Sequence, residues 1–491
     1  MEDSSSKRLL APAHILSLLT LISLILRVWK LWDHGLCQWD EGVYALSARW
    51  VATLGEGGTL GSPSHGPPLY TLILAFLFLL FGDSDLTILI SSAVAGALIT
   101  PILFLLGKRW LGNKEGMVAA AIWVLLPIGV LFSRRGLTDI WFTLFFLLGL
   151  LILSTHSFRG WRDLGIFIPA VLAMLTKYHG AGVLVVAGMV LLSSPLLRSH
   201  DKIGAVIPSG KTLVWGLIFL AFTLAPWILF LIAKWDLLRL IENYGAYGGS
   251  STPIMDRLWI LDWGTGWLFI AAALVGGVIS LKKREAGDLW LLCSVLFFVG
   301  VVVGYRPYPR LFLPLAALGC LLAAHGIVWI SERFPFRVQK PVLVTLGLML
   351  LVSLLPSTLA VGLKTCDTYR RAGEFMNQMS IKSPVYVCAQ QPMVYYLQQK
   401  SISVLDPGYE SLNRTEGSLI LITDHWVERY PGTRDFLENH PSETLFEEPL
   451  DLPEDVLMNS RNLETVLRMR GIKGEKGPNL TVRLIQKAEG P

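Results

Sequence analysis

Long apolar stretches fill the first three quarters of the chain and leave it one kind of fold. A helix needs about 20 mostly apolar residues to cross a bilayer, fewer where it is broken or tilted. Eleven segments are candidates: Leu9–Val28, Leu86–Leu106, Met117–Phe132, Ile140–Leu153, Leu164–Thr176, Ala181–Leu197, Leu213–Ala233, Trp263–Leu281, Leu289–Gly304, Leu311–Ile330 and Val342–Leu363. Residues 1–362 hold 46 Asp, Glu, Lys and Arg, whereas residues 363–491 hold 33 in 129 positions. The second density matches the roughly 25% of a soluble domain, and the first is about half of it. The expectation is a polytopic α-helical membrane protein of about eleven transmembrane helices plus interfacial helices. It carries a small C-terminal extracytoplasmic α/β domain, with the division at 1–362 and 363–491.

This pattern excludes a wholly soluble enzyme, a disordered chain and a disulfide-rich secreted module. A net charge of +5 without a basic run gives no footprint for nucleic acid. The five cysteines form no metal motif; Cys366 and Cys388, in the tail, could pair or remain thiols. Leu9–Leu26 is followed by no small-residue cleavage site, so it reads as a retained span.

Loop charge orients the spans. Pro67–Phe81 is apolar but short, and opens on Pro67-Pro68. If it lies in the interface and the N-terminus is cytoplasmic, every inner loop is basic, Lys282-Lys283-Arg284 included, as the positive-inside rule requires. If it crossed, that triplet would face outward. The outer side then receives loop 30–85, the surroundings of Asp139 and Lys177, loop 234–262, segment 305–310 and the tail. The placement expected is the plasma (inner) membrane. In the tail, Thr368–Met379 and Thr433–His440 suit helices, and Val385–Cys388, Leu419–Thr423 and Thr481–Ile485 suit strands.

Three features of the outer side carry possible chemistry. Asp40-Glu41 follows the first span and opens an amphipathic helix that includes Tyr44. The pair suits a helix cap or a general base at the membrane surface. Asp139 borders hydrocarbon, where a carboxylate is costly and functional by default; the alternative is an anchoring salt bridge to Arg134 or Arg135. His65, Arg134, Arg135, Lys177, His179, Arg306 and Arg310 are outer cations at helix ends, where the charge rule disfavours them. Singly each suits a headgroup contact. Together they suit a phosphate, which Arg forks and Lys point charges bind well.

Several of these residues stand in motifs of a known group. Asp40-Glu41-x-x-Tyr44-Ala45 comes first, then Gly66-Pro67-Pro68-Leu69-Tyr70, Phe81-Gly82 and Leu106-Gly107-Lys108-Arg109-x-x-Gly112. Ser133-Arg134-x-x-Leu137-Thr138-Asp139, Leu175-Thr176-Lys177 and Tyr308-Pro309-Arg310-x-x-x-Pro314 follow in order. The chain resembles the membrane-embedded GT-C glycosyltransferases of the protein-mannosyltransferase and lipid A aminoarabinose transferase kind, over about residues 10–330. The resemblance implies an inverting transferase that takes a sugar from a polyprenyl-phosphate carrier to an envelope acceptor (lipid, glycan or protein) at the outer face. By matched position Asp40 would be the acid of the first outer loop and Asp139 that of the second; the catalytic candidates are Asp40, its neighbour Glu41 and Asp139. Tyr44, His65, Arg134, Arg135, Lys177, His179, Tyr308 and Arg310 would serve the donor phosphate or substrate.

The sequence also departs from the group. Val43 stands where a basic residue is frequent, and Ser64-His65-Gly66 precedes Pro67 where Glu-Lys is common. The departure removes a Glu that binds metal in one branch, so a divalent metal remains only possible and no other cofactor is expected. The competing classes are a lipid-linked sugar transporter or flippase and a non-catalytic membrane subunit. Transporters show inverted repeats around a midplane site, whereas here the candidate residues gather at one surface.

Overall fold

The computed structural model describes residues 4–56, 66–156, 159–197, 206–234, 258, 261–262, 264–304, 309–363, 365–379, 381, 384–388, 391–398, 401–404, 419–423, 431–450 and 479–485. The membrane part is helical: α1 (Ser4–Val28), α2 (Trp39–Ala52), α3 (Leu69–Phe81), α4 (Asp85–Trp110), α5 (Asn113–Val124), α6 (Pro127–Ser133), α7 (Thr138–Thr155), α8 (Ile168–Thr176), α9 (Gly182–Ser193), α10 (Gly210–Lys234), α11 (Trp267–Lys283), α12 (Ala286–Gly304), α13 (Leu313–Glu332) and α14 (Phe336–Leu363). Among the described residues eight helical stretches are long and apolar enough to cross a membrane, and nine if the bent pair α5–α6 is one span.

Two further expected spans take a shorter form. α11 has 17 residues, and Leu164–Thr176 resolves into a 3-10 turn followed by the nine residues of α8. α3 has 13 residues, about 20 Å of helix at 1.5 Å per residue. That is too short for a hydrocarbon layer of about 30 Å.

α13 is the most enclosed span, whereas α1, α10 and α14 leave most of their apolar surface outward. Lipid on that surface is as apolar as a packed helix, so close approach rather than hydrophobicity joins the helices. α11 meets α13 through Gly276 and Gly326. A Cβ on Gly276 would stand 1.9 Å from the Leu322 carbonyl oxygen, and one on Gly326 2.3 Å from that of Ala272.

The 60° break between α5 and α6 explains a charge inside a span. Pro127 cannot donate a backbone hydrogen bond and disfavours helix at the residue before it. The carbonyls freed at the end of α5 are capped from other helices. Arg27 of α1 donates to the carbonyls of Val124 (3.4 Å) and Trp123 (3.2 Å), and Thr358 of α14 to that of Leu125 (2.5 Å). Arg27 is fully buried, also binds Ser23 and Ser133, and lies over the Trp123 ring. Its positive charge meets the negative end of the α5 dipole.

After α14 come α15 (Thr368–Gln378), β1 (Val385–Cys388), α16 (Gln391–Tyr396), β2 (Ser401–Val404), β3 (Leu419–Thr423), α17 (Pro431–Asn439), β4 (Ser442–Pro449) and β5 (Asn479–Ile485). The strands form one mixed sheet in the order β2-β1-β3-β5-β4, parallel from β2 to β3 and antiparallel from β3 to β4. One face buries Val385, Val387, Ile420, Ile422 and Val482 against Tyr369 and Met376 of α15. The other buries Tyr386, Cys388, Leu419 and Leu421 against Phe436 of α17.

Candidate functional site

Asp40 and Glu41 are adjacent in sequence but serve different neighbours. α2 starts at Trp39. The Glu41 carboxylate accepts the backbone N–H of Cys37 and of Gln38, both at 2.8 Å, and that of Gly136 at 2.6 Å. The Arg135 guanidinium is 3.8 Å away. Glu41 is therefore the acid of the capping box that closes the start of α2 on Gln38, and it ties the loop before α2 to the loop before α7. Its side chain is fully buried. The cap reading considered for Asp40 belongs to Glu41.

Asp40 instead ion-pairs with Arg310. Arg310 sits in a 3-10 turn (Pro309–Phe312) that leads into α13. Asp139, in the first turn of α7, accepts a hydrogen bond from the Lys177 ammonium at 2.5 Å. Lys177 has extended backbone between α8 and the turn Tyr178–Ala181, so the helix is interrupted there. The salt bridge weighed for Asp139 thus exists, but with Lys177 rather than Arg134 or Arg135.

The two ion pairs adjoin. Asp40 and Arg310 act electrostatically on Lys177, and Asp139 acts on Arg310. Tyr44, hydrogen-bonded to Thr138, lies in the field of Asp40, Arg310 and Asp139. Burial first, and then Asp40, push its phenol well above the ordinary tyrosine pKa, so it stays a neutral hydrogen bonder. His179 lies in the field of Lys177 and Asp139. Burial lowers the Lys177 pKa from its ordinary 10.5, with Asp139 opposing the shift. Asp139 is the enclosed member, its side chain 3% exposed against 16% for Asp40, 20% for Lys177 and 22% for Arg310. Its Oδ2 is buried without a hydrogen-bond partner.

The structure therefore gathers Asp40, Tyr44, Asp139, Lys177, His179 and Arg310. Two of the expected phosphate ligands are engaged elsewhere. Arg134 donates to the carbonyls of Arg27 (3.1 Å) and Trp29 (2.5 Å) at the end of α1, and Arg135 stands against Glu41. His65 and Tyr308 lie outside the described residues. Among the described residues no group of three or more His, Cys, Asp or Glu side chains is set to hold a metal ion. Both carboxylates of the cluster already face a cation, a poor donor set for a divalent metal.

The tail packs against the helix that bears Asp40, a contact without a sequence signal. Tyr395 and Tyr396 of α16 donate through their hydroxyls to Asp83 and Asp85, each at 2.7 Å. The Tyr396 hydroxyl also accepts the Leu36 N–H at 2.7 Å. Arg49 of α2 pairs with Asp83 and lies over the Tyr395 ring, 4.2 Å from its centroid. α2 and α16 meet backbone to backbone at Gly42, where a Cβ would stand 2.2 Å from the Pro392 nitrogen.

Comparison with known proteins agrees with this architecture. Residues 65–230 match the family model described as dolichyl-phosphate-mannose-protein mannosyltransferase. No curated protein matches by sequence. Among solved structures, ArnT from Cupriavidus metallidurans bound to undecaprenyl phosphate is similar at a TM-score of 0.63 and 11% identity, covering 99% of this chain and 100% of that one. The Archaeoglobus fulgidus oligosaccharyltransferase in its apo form is similar at 0.61 and 10% identity, covering 86% of this chain and 71% of that one. AglB from the same organism, in complex with an inhibitory peptide and a dolichol-phosphate, is similar at 0.56 and 12% identity, covering 87% and 71%. The chain has the fold of the GT-C membrane glycosyltransferases, and its residues 65–230 match a mannosyltransferase family of that fold.

Proposed function

We propose that the chain is an inverting glycosyltransferase. It moves a sugar from a polyprenyl-phosphate carrier to a hydroxyl of an envelope lipid, glycan or protein, at the outer face of the plasma membrane. Its N-terminus is inside, and residues 363–491 form an outer domain. The observation that carries this reading is the joined pair of ion pairs, Asp40 with Arg310 and Asp139 with Lys177. The neighbours crystallised with undecaprenyl phosphate or holding a dolichol-phosphate support a lipid carrier.

Two carboxylates and two cations leave the resting cluster without net charge, which lowers the cost of keeping them partly buried. An incoming phosphodiester competes with the carboxylates for Lys177 and Arg310. Once Arg310 turns to the phosphate, Asp40 is free as a base. The acceptor hydroxyl attacks the anomeric carbon opposite the phosphate and its proton passes to Asp40. The bond from that carbon to the phosphate oxygen breaks, and the charge left on the lipid phosphate is held by Lys177 and Arg310. Asp40 suits the base because it is the more exposed acid, within reach of an acceptor. Asp139, enclosed, orients Lys177. Glu41, Arg134 and Arg135 hold the loops that frame the cluster.

The purified protein, supplied with an undecaprenyl-phosphate-linked hexose or pentose and extracted envelope glycolipid, should release undecaprenyl phosphate. Mass analysis of envelope lipids and glycans with and without the gene identifies the product. A null mutant with an unchanged envelope, together with no binding of undecaprenyl phosphate by the purified protein, would refute the proposal.

A further inference from the structure

Cys37 and Cys366 are 329 positions apart and adjacent in space. The Cys37 thiol donates to the Cys366 carbonyl oxygen at 3.1 Å. The Gly35 N–H donates to the same oxygen at 2.7 Å, and the Cys366 N–H donates to His34 Nδ1 at 2.8 Å. These bonds hold the segments 34–37 and 365–367 side by side. The Cys366 side chain is also close enough to act on the Cys37 thiol. Both residues are 2% exposed and both are thiols here. Cys388, the partner weighed for Cys366 from sequence, lies on β1 in the cluster around Phe436.

We propose that Cys37 and Cys366 are the two halves of a disulfide that staples the first outer loop to the C-terminal domain. The inference rests on the outward placement of that loop, since disulfides persist where the compartment is oxidising. It goes beyond the transferase reading, because the bond lies outside the ion-pair cluster. Cys37 is three residues before Asp40, and its N–H is already fixed by Glu41. A covalent link here would pin the start of α2 to the tail at the point where Tyr396 and Arg370 also engage Asp85.

The chemistry is two thiol–disulfide exchanges with a disulfide-bearing oxidant of that compartment. The Cys37 thiolate attacks the oxidant's disulfide and releases one oxidant thiolate. The Cys366 thiolate attacks the mixed disulfide and releases the second. Two protein thiols and one oxidant disulfide become one protein disulfide and two oxidant thiols, which carry the protons lost by the cysteines. Burial and the neighbouring Cys366 hold the folded Cys37 pKa well above the ordinary value. The thiolate is therefore scarce once the loop has closed, and the exchange belongs to folding or to local opening.

The test uses the full-length protein in its native membranes. Membranes are quenched with acid, alkylated and digested without reductant. A Cys37–Cys366 linked peptide is expected by mass spectrometry, and it should be absent from C37S and from C366S. In parallel, purified protein is reduced, unfolded and refolded in oxidised glutathione, where the same linkage is expected. Reduction should lower the thermal midpoint of the wild type and leave that of the C37S/C366S double variant unmoved. Alkylation of both thiols in membranes overturns the proposal. The glutathione arm then locates the failure: linkage there faults the outward placement of the loop, and its absence faults the pairing.

Discussion

Arg310 reaches Asp40 across 270 positions of sequence and joins the turn before α13 to the first turn of α2. This one contact brings the start of α2 onto the cluster of Asp139 and Lys177. Asp40→Asn keeps the shape of the side chain but removes the basic carboxylate. Because Glu41 rather than Asp40 holds the start of α2, the variant should insert and keep its fold, losing only the stability of the partly exposed pair with Arg310. Its transfer rate should fall about 10²-fold or more, the scale for loss of a general base. Single-turnover transfer assays on protein of verified thermal midpoint would measure this. A rate within a few fold of wild type would remove Asp40 from the base role.

Lys177 gives the cluster a pH signature. Its pKa lies below the ordinary 10.5, chiefly from burial. The ammonium is fully charged below that lowered value and is lost as pH rises through it. Donor KM should therefore climb on the alkaline side before a free lysine would titrate. Lys177→Arg keeps its charge to higher pH, so its KM profile should stay flat over the same interval. Coincident profiles for the two enzymes would remove Lys177 from donor binding. Asp139→Asn should raise donor KM as well, by freeing Lys177 from its partner and orientation.

Glu41 separates a structural acid from a chemical one. Three backbone N–H groups and Arg135 converge on it in a fully buried place. Glu41→Ala leaves those three donors without their acceptor and takes the carboxylate away from the buried Arg135, a loss of about 3–5 kcal/mol. Thermal melting in detergent should show a large drop for Glu41→Ala and a smaller one for Asp40→Ala. The opposite ranking would exchange the roles given to the two residues.

Much of this was legible in the sequence because membranes restrict the choices. Apolar length placed most of the spans, and the strands Val385–Cys388 and Leu419–Thr423 were read residue for residue because both are buried on both faces. β4 escaped because an edge strand carrying three glutamates has no apolar alternation to read. Asp40 was visible as half of an adjacent carboxylate pair, Asp139 as a carboxylate at the border of an apolar run, and Lys177 and Arg310 as cations at helix ends away from the basic loops. Their pairing was not, since proximity across hundreds of residues leaves no local trace. Arg27 was invisible for a related reason: its partners are carbonyls released by a proline a hundred positions away.

The contact between Gly42 and α16 makes the tail part of the site's scaffold. A Cβ on Gly42 would stand 2.2 Å from the Pro392 nitrogen and 2.3 Å from the Gln391 carbonyl carbon. Both are backbone atoms, so no side chain can rotate aside and the two helices must separate. Gly42→Ala should loosen Tyr395 and Tyr396 from Asp83 and Asp85, and expose the tail to protease at concentrations that spare the wild type. The double change Tyr395→Phe and Tyr396→Phe removes the hydroxyls without the steric wedge. It should give a milder form of the same protease sensitivity. Because α2 carries Asp40, both variants should lower kcat more than they raise donor KM, since Lys177 and Arg310 are held by the segment after α8 and the turn before α13. Limited proteolysis and transfer kinetics on the same preparations check this. Gly42→Ala protein with wild-type protease resistance and kcat would show that α2 keeps its place without the tail.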